Sequence, residues 1–295
     1  MGEGLQSGQA RGPQLIRAAQ VAHEAEVRQS ANGVRFATYG ETGVPAPDLD
    51  RMLEAVPTTI VAALENNTYF FVPLAMREGS EPAGEPRTVP DQPMVAGAYT
   101  DEYGDAAICH RNVELGSGHR GVFISTRLMS GRFLLSFEFF INVAHAFVDR
   151  AGVSEAFANL VWQQAVDNVR GETSQEAWES RNLAFGRPAN GEPEAASSPR
   201  RNRAFALAAG SFPAQDVSPA AIDEKERTAF LEAAFADAIA IYLLSLALDF
   251  EYGELREREY PLLAPAALAA RLRLISELFP PNPGYEFAVR YRRRA

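Results

Sequence analysis

The chain has 295 residues, 46% hydrophobic and 22% charged, within ordinary globular usage. Its 28 basic and 38 acidic residues leave a net charge of -10, which excludes the electrostatic footprint of a general nucleic-acid binder. Cys109 is the only cysteine, so no internal disulfide can form, which fits a reducing compartment.

Met1 to Gly12 lacks a basic segment followed by an apolar run, so no signal peptide is expected and the expected location is cytoplasmic. Leu15 to Arg28 reads as a short helix. Pro45 to Asp50 carries a helix start signal, and Leu49 to Asn66 reads as helical despite Pro57. Thr68 to Leu74 (TYFFVPL) is aromatic and β-branched, the composition of a strand. Arg77 to Pro93 is a loop by its Pro, Gly and Glu content. Met94 to Tyr99 and Ala106 to Val113 read as strands around a turn at Asp101 to Asp105, and Gly121 to Leu128 as another strand.

Helices are expected over Phe133 to Asp149 and Ser154 to Val169. Gly186 to Arg203 reads as a low-complexity linker. Glu224 to Phe250 is the strongest helical pattern, and Pro265 to Leu278 is a last helix ended by Pro280, Pro281 and Pro283. The apolar stretch Ala233 to Leu248 is interrupted by Asp237 and falls short of the roughly 20 residues that span a bilayer, so no membrane span is expected. Arg290 to Arg294 reads as a solvated basic tail. The order of elements predicts an α+β fold, a small sheet packed on buried helices, with a helical C-terminal part. The expected organisation is an N-terminal extension over 1–47, a main domain over 48–250, and a packed proline-rich extension over 251–295.

The helix Phe133 to Asp149 (FLLSFEFFINVAHAFVD) is apolar nearly all round and should be buried. Its polar residues Glu138, Asn142, His145 and Asp149 follow i, i+4, i+7 and i+11 and share one face. A buried helix with one polar stripe turns that stripe toward a cleft or toward polar partners. Asp237 is the only charge in AAFADAIAIYLLSLAL, and a lone carboxylate there needs a partner or a metal.

The segments LDRMLEAVPTTIVAALENNTYFFVPL, MVAGAYTDEYGDAAIC, GVFISTRLM, INVAHAFVDRAG and AAFADAI come in an order that resembles a known catalytic domain. It is that of the anthrax lethal factor and Pro-Pro endopeptidase family of zinc metallopeptidases, the gluzincins. The resemblance implies a zincin-like core over about 48–250. The family has H-E-x-x-H where this chain has Ile141, Asn142 and His145. Its first zinc histidine falls on Ile141, its general-base glutamate on Asn142 and its third ligand on Ala233. Its second histidine is kept as His145, and an acidic residue survives as Asp237. Ile141 cannot coordinate a metal, and Asn142 lacks the basicity to activate a zinc-bound water.

A shifted set, His145 and Asp149 with Asp237 or Glu232, could hold zinc, but it puts Ala146 at the position of the base. No cofactor is expected otherwise. The resemblance therefore implies a non-catalytic relative that binds a protein or peptide partner, laid along an edge strand at Gly121, Phe123 and Ser125. The alternatives are a hydrolase with substituted ligands and a scaffold whose polar stripe is a satisfied network.

Four other constellations are weaker. Cys109, His110 and His119 have no standard zinc spacing. Ser125 or Ser136 with His145 lacks the G-x-S-x-G elbow of a hydrolase. FISTR with Glu257-Arg258-Glu259 is similar to the ADP-ribosyltransferase pattern, but Arg127 stands where that pattern has serine. Gly116, Gly118 and Gly121 precede a strand, not the helix of a phosphate loop.

Overall fold

A computed structural model of the chain describes residues 15–77, 92–129, 131–189, 222–255 and 260–289. It divides into two compact units. Unit 1 comprises Met1–Ala151, Ile239–Phe250 and Ser276–Ala295, and unit 2 comprises Gly152–Ala238 and Glu251–Ile275.

Unit 1 carries the sheets. The described strands are β1 (Leu15–Arg17), β2 (Arg28–Gln29), β3 (Arg35–Thr38), β4 (Asn67–Val72), β5 (Leu74–Met76), β6 (Met94–Ala96), β7 (Ala107–Ile108), β8 (His110–Gly116) and β9 (His119–Ser125). A five-stranded sheet has the order β2-β3-β4-β9-β8, and a four-stranded sheet the order β1-β6-β5-β7. β3, β4 and β9 run parallel, whereas β8 is antiparallel to β9. Parallel strands covered on both faces read as continuous apolar runs rather than alternating ones. TYFFV within β4 has that texture, and every residue of it is buried. Pro73 has no N–H to donate to a ladder, and there the chain leaves the first sheet for the second. The two sheets are tied by Ser125, whose hydroxyl accepts from the Ala75 N–H at 2.7 Å and donates to the Ile108 carbonyl at 2.5 Å.

Helices α1 (Ala18–Glu24), α2 (Ala46–Glu54), α3 (Thr58–Val61), α4 (Asp101–Ala106) and α5 (Arg132–Ala151) also belong to unit 1. The helix expected over 49–66 breaks at Pro57, whose ring and missing N–H stop α2 from continuing. The carbonyls left open at that break are closed by two asparagines. Asn32 Nδ2 donates to Leu53 and Val56, and Asn282 Nδ2 to Glu54 and Val56, while Asn282 Oδ1 accepts from the Thr58 N–H. The expected turn at 101–105 is helix α4, because the Thr100 hydroxyl caps the Tyr103 N–H and two acids follow in the first turn.

Unit 2 is helical. It holds α6 (Glu155–Val166), α7 (Gln175–Ala184), the first part of α8 (Glu224–Ala247) and most of α9 (Pro265–Leu278). α8 is long and apolar enough by composition to cross a membrane, and 78% of its most apolar window is buried inside the structure.

The fold is thus α+β. Residues 15–38, expected outside the main domain, supply β1, β2 and β3 to the two sheets. Residues 251–295 are shared between the units. Only Gly186 to Ala189 of the expected linker are described. Met1 to Gly12, Glu257 to Glu259 and Arg290 to Arg294 lie outside the described residues.

Asn282→Ala removes bonds at the Pro57 break, although Val56 keeps its bond from Asn32. We expect a loss of about 1 kcal/mol, read as a lower urea midpoint at unchanged slope. An unchanged midpoint would mean that water serves those carbonyls equally well.

Candidate functional site

The polar stripe expected on 133–149 exists, on α5. It meets polar residues of β8 and β9. Glu138 is mostly buried and its carboxylate contacts His110 Nδ1 of β8 at 2.5 Å. Asn142 is buried one turn on, and its amide donates to the Glu138 carbonyl at 2.8 Å and carboxylate at 3.2 Å. Asp149 lies 3.7 Å from Arg120 of β9, and Arg120 also pairs with Glu114 of β8 at 3.4 Å. These outer pairs are largely exposed and contribute little stability. Between them His145 is exposed, with no side-chain hydrogen bond among the described residues. The stripe is therefore satisfied at its Glu138 end and open around His145.

Asp237, on the part of α8 within unit 2, has a different setting. It is 7% exposed, and its carboxylate accepts from Thr173 Oγ1 at 2.8 Å. Burial pushes its pKa from 3.8 up to about 7, against the opposing effect of hydrogen bonds from Ser174 and Thr173. Its partners in the structure are the hydroxyls of Thr173 and Ser174.

Comparison with known proteins gives no match to a family model, a curated protein or a solved structure.

Zinc can then be judged only on the donors present. Among the described residues no three His, Cys, Asp or Glu side chains are grouped to hold a metal ion. Ile141 and Ala233, at two of the expected ligand positions, offer no donor atom, and Asn142 is engaged with Glu138. Of the expected set, His145 and Asp149 stand on α5 of unit 1, and Asp237 on the part of α8 within unit 2.

The expected edge strand also needs correction. Gly121, Phe123 and Ser125 lie on β9, which pairs with β4 on one side and β8 on the other. Phe123 is fully buried and stacks on Phe70 at 4.6 Å, and Ser125 is spent on the junction between the sheets. The apolar run GVFIS belongs to a central strand, and the edge is β8. His110 and His119 occupy opposite ends of the β8–β9 hairpin, so they form no common site with Cys109.

Unit 2 holds a polar cluster that the sequence did not suggest. Glu172 is fully buried between two guanidiniums, with Arg181 Nη1 and Arg271 Nη1 each at 2.9 Å. Arg271 Nε donates to Gln164 Oε1 at 2.8 Å, and Arg181 Nη1 also donates to the Gly171 carbonyl at 3.0 Å. Tyr260 donates to the Thr173 carbonyl beside it. Gly171 has φ +80°, and a Cβ there would lie 2.1 Å from the Leu262 carbonyl oxygen. The chain can approach that closely only without a side chain. These charges hold α7, α9 and the 170–173 segment together.

Removing Glu172 strands two buried cations, so Glu172→Ala should cost about 3–5 kcal/mol in urea unfolding. A loss below about 1 kcal/mol, the worth of an exposed pair, would contradict that burial. Asp237 gives a second prediction. Between pH of about 4 and 7 the folded chain holds a proton there that the unfolded chain has released. Its contribution is full below this window and lost as pH rises through 7. Asp237→Asn should therefore gain stability relative to wild type as pH rises from 4 to 8 in thermal melts. A pH-independent difference would count against it.

Proposed function

We propose that this protein is a non-catalytic relative of the zincin type that binds an extended peptide by strand addition along β8. The observation that carries this reading is the free side of β8. Among the described residues no strand pairs with it beyond β9. An unpaired strand edge is a template for another chain, and main-chain hydrogen bonds supply the affinity.

The alternation of an antiparallel ladder says which groups are available. Ser125 N–H donates to the Cys109 carbonyl, so Cys109, Arg111 and Val113 face β9 with their backbone groups. His110, Asn112 and Glu114 then present their N–H and C=O groups outward. Asn112 and Glu114 are exposed. The same strand touches the polar stripe of α5 through His110 and Glu138. Glu114 of β8 and Asp149 of α5 both lie near Arg120 of β9 on this side.

The loss of donors at Ile141, Asn142 and Ala233 supports binding without hydrolysis, because strand addition needs no metal. Metal analysis of purified protein tests that half. Stoichiometric zinc that disappears in His145→Ala would overturn the non-catalytic reading.

The binding half is tested with nonapeptides selected from a random displayed library and measured by fluorescence anisotropy. Asn112→Pro removes one outward N–H and leaves the β8–β9 ladder intact, since proline is tolerated where an edge N–H faces solvent. We expect it to weaken selected peptides by about tenfold or more, the worth of one to two main-chain hydrogen bonds. Selected peptides that bind Asn112→Pro as tightly as wild type would exclude β8 as the docking edge.

A further inference from the structure

We propose that unit 1 also holds a site for a small organic acid, a single carboxylate on an apolar body, in a cavity at the carboxyl ends of its parallel strands. The cavity has a volume of about 340 Å³, within the roughly 300–1,000 Å³ of small-molecule sites. Its walls are residues that follow β3 and β9, Tyr99, and the first two turns of α2 and α5. Ligands of open sheets with parallel strands bind outside the carboxyl ends of those strands, where loops converge.

Four observations define the ligand chemistry. The first is charge. Arg127, Arg132 and Asp48 line the cavity, and Asp48 Oδ1 lies 3.4 Å from Arg132 Nη2. Arg127 makes no ion pair or side-chain hydrogen bond among the described residues. The surplus is one positive charge, which a carboxylate neutralises. A phosphate dianion would overshoot it and face Asp48.

The second is position. Arg127 is held at the cavity wall by its own backbone bond to the Pro73 carbonyl. The adjoining Thr126 hydroxyl donates to the Thr42 carbonyl at 2.8 Å and the Val72 carbonyl at 3.0 Å, which pins the two loops together. Gly43 has φ +68°, and a Cβ there would lie 2.4 Å from Arg127 Nη1. The bare glycine lets the guanidinium lie against the loop.

The third is Ser136. It is 5% exposed, lines the cavity, and makes no hydrogen bond to a described residue. Its hydroxyl opens onto the cavity with its bonding capacity unused by the protein, so a ligand there can take it up. It stands in the second turn of α5, whose first residue Arg132, with Gly131 just before it, also lines the cavity. The dipole of that 20-residue helix adds partial positive charge at the same place.

The fourth is the apolar remainder. Val44, Met52, Met129 and Leu135 supply the surface for the body of the acid. A site with one anion-binding corner and an apolar floor takes an amphipathic monoanion rather than an inorganic ion.

The test uses the full chain labelled with ¹³C at methionine methyl groups. Met52 and Met129 report on the cavity, and hexanoate, benzoate, hexan-1-ol and inorganic phosphate are the probes. We expect saturable shifts of both methyl resonances with hexanoate or benzoate, and binding of hexan-1-ol weaker by about tenfold, the worth of a charge-assisted contact. Arg127→Ala, at an exposed position, should weaken the acid by about tenfold or more. Arg127→Lys should weaken it less, and Ser136→Ala should do so by a few-fold, all with unchanged far-ultraviolet circular dichroism. Asn112→Pro should leave acid binding untouched, so this site and the β8 edge fail or stand separately. Equal binding of hexanoate and hexan-1-ol, phosphate binding tighter than either acid, unaltered binding in Arg127→Ala, or no shift with either acid would each overturn the assignment.

Discussion

The pairing of β4 with β9 places everything in unit 1 that can meet a ligand. The two strands run parallel from Asn67 opposite Arg120 to Val72 opposite Ser125. A parallel pair cannot be closed by a tight turn, so the chain between them must travel. It makes β5, β6 and β7 of the second sheet and returns as β8 against the far side of β9. Because β9 is held on both sides, its end is fixed. Thr126 and Arg127, which follow it, are held with it by backbone bonds to Val72 and Pro73. The free edge and the cavity are thus two consequences of one ladder.

Two polar groups sit where apolar residues would be expected, and they are satisfied in different ways. On α5 the cost of burying Glu138 and Asn142 is met locally, by each other and by His110 of the neighbouring strand. In unit 2 Glu172 is met by two guanidiniums that come from separate helices. Such a triad contributes less net stability than apolar packing of the same volume, but its members are hard to lose one at a time. Asp237 lies between these cases, held by hydroxyls that do not offset its desolvation.

Much of the fold was legible in the sequence. The period of apolar residues located α5, α8 and α9, the last over Pro265 to Leu278, and the aromatic run located β4. β2 and β3 were not legible, because strands of two and four residues set their pairing by tertiary contact rather than by pattern. α7 begins at a Ser174 cap, and its apolar face is weak, with Arg181 turned inward to Glu172. The stripe on α5 was legible as geometry, but its partners were not, since His110 lies on a strand whose pairing the sequence does not state. GVFIS is a central strand, and its lack of alternation is the mark of one. Ser136 appeared in the sequence only as a weak nucleophile candidate. Its place in a cavity depends on where β9 ends and α5 begins.

Both units are discontinuous in the chain. Unit 1 takes Met1–Ala151, a part of α8 and the last twenty residues, and unit 2 the two stretches between. Asn282, from the final segment, closes the carbonyls at the Pro57 break near the start. During synthesis the chain emerges from its N-terminus, and a domain that is contiguous can fold as soon as it is made. Here the sheets leave the ribosome long before the residues that finish their unit. Until then the break at Pro57 lacks Asn282 and the site of Tyr242, which donates to the Phe279 carbonyl, lacks its acceptor. A unit closed by its most distant segment cannot complete itself in the way a contiguous stretch can.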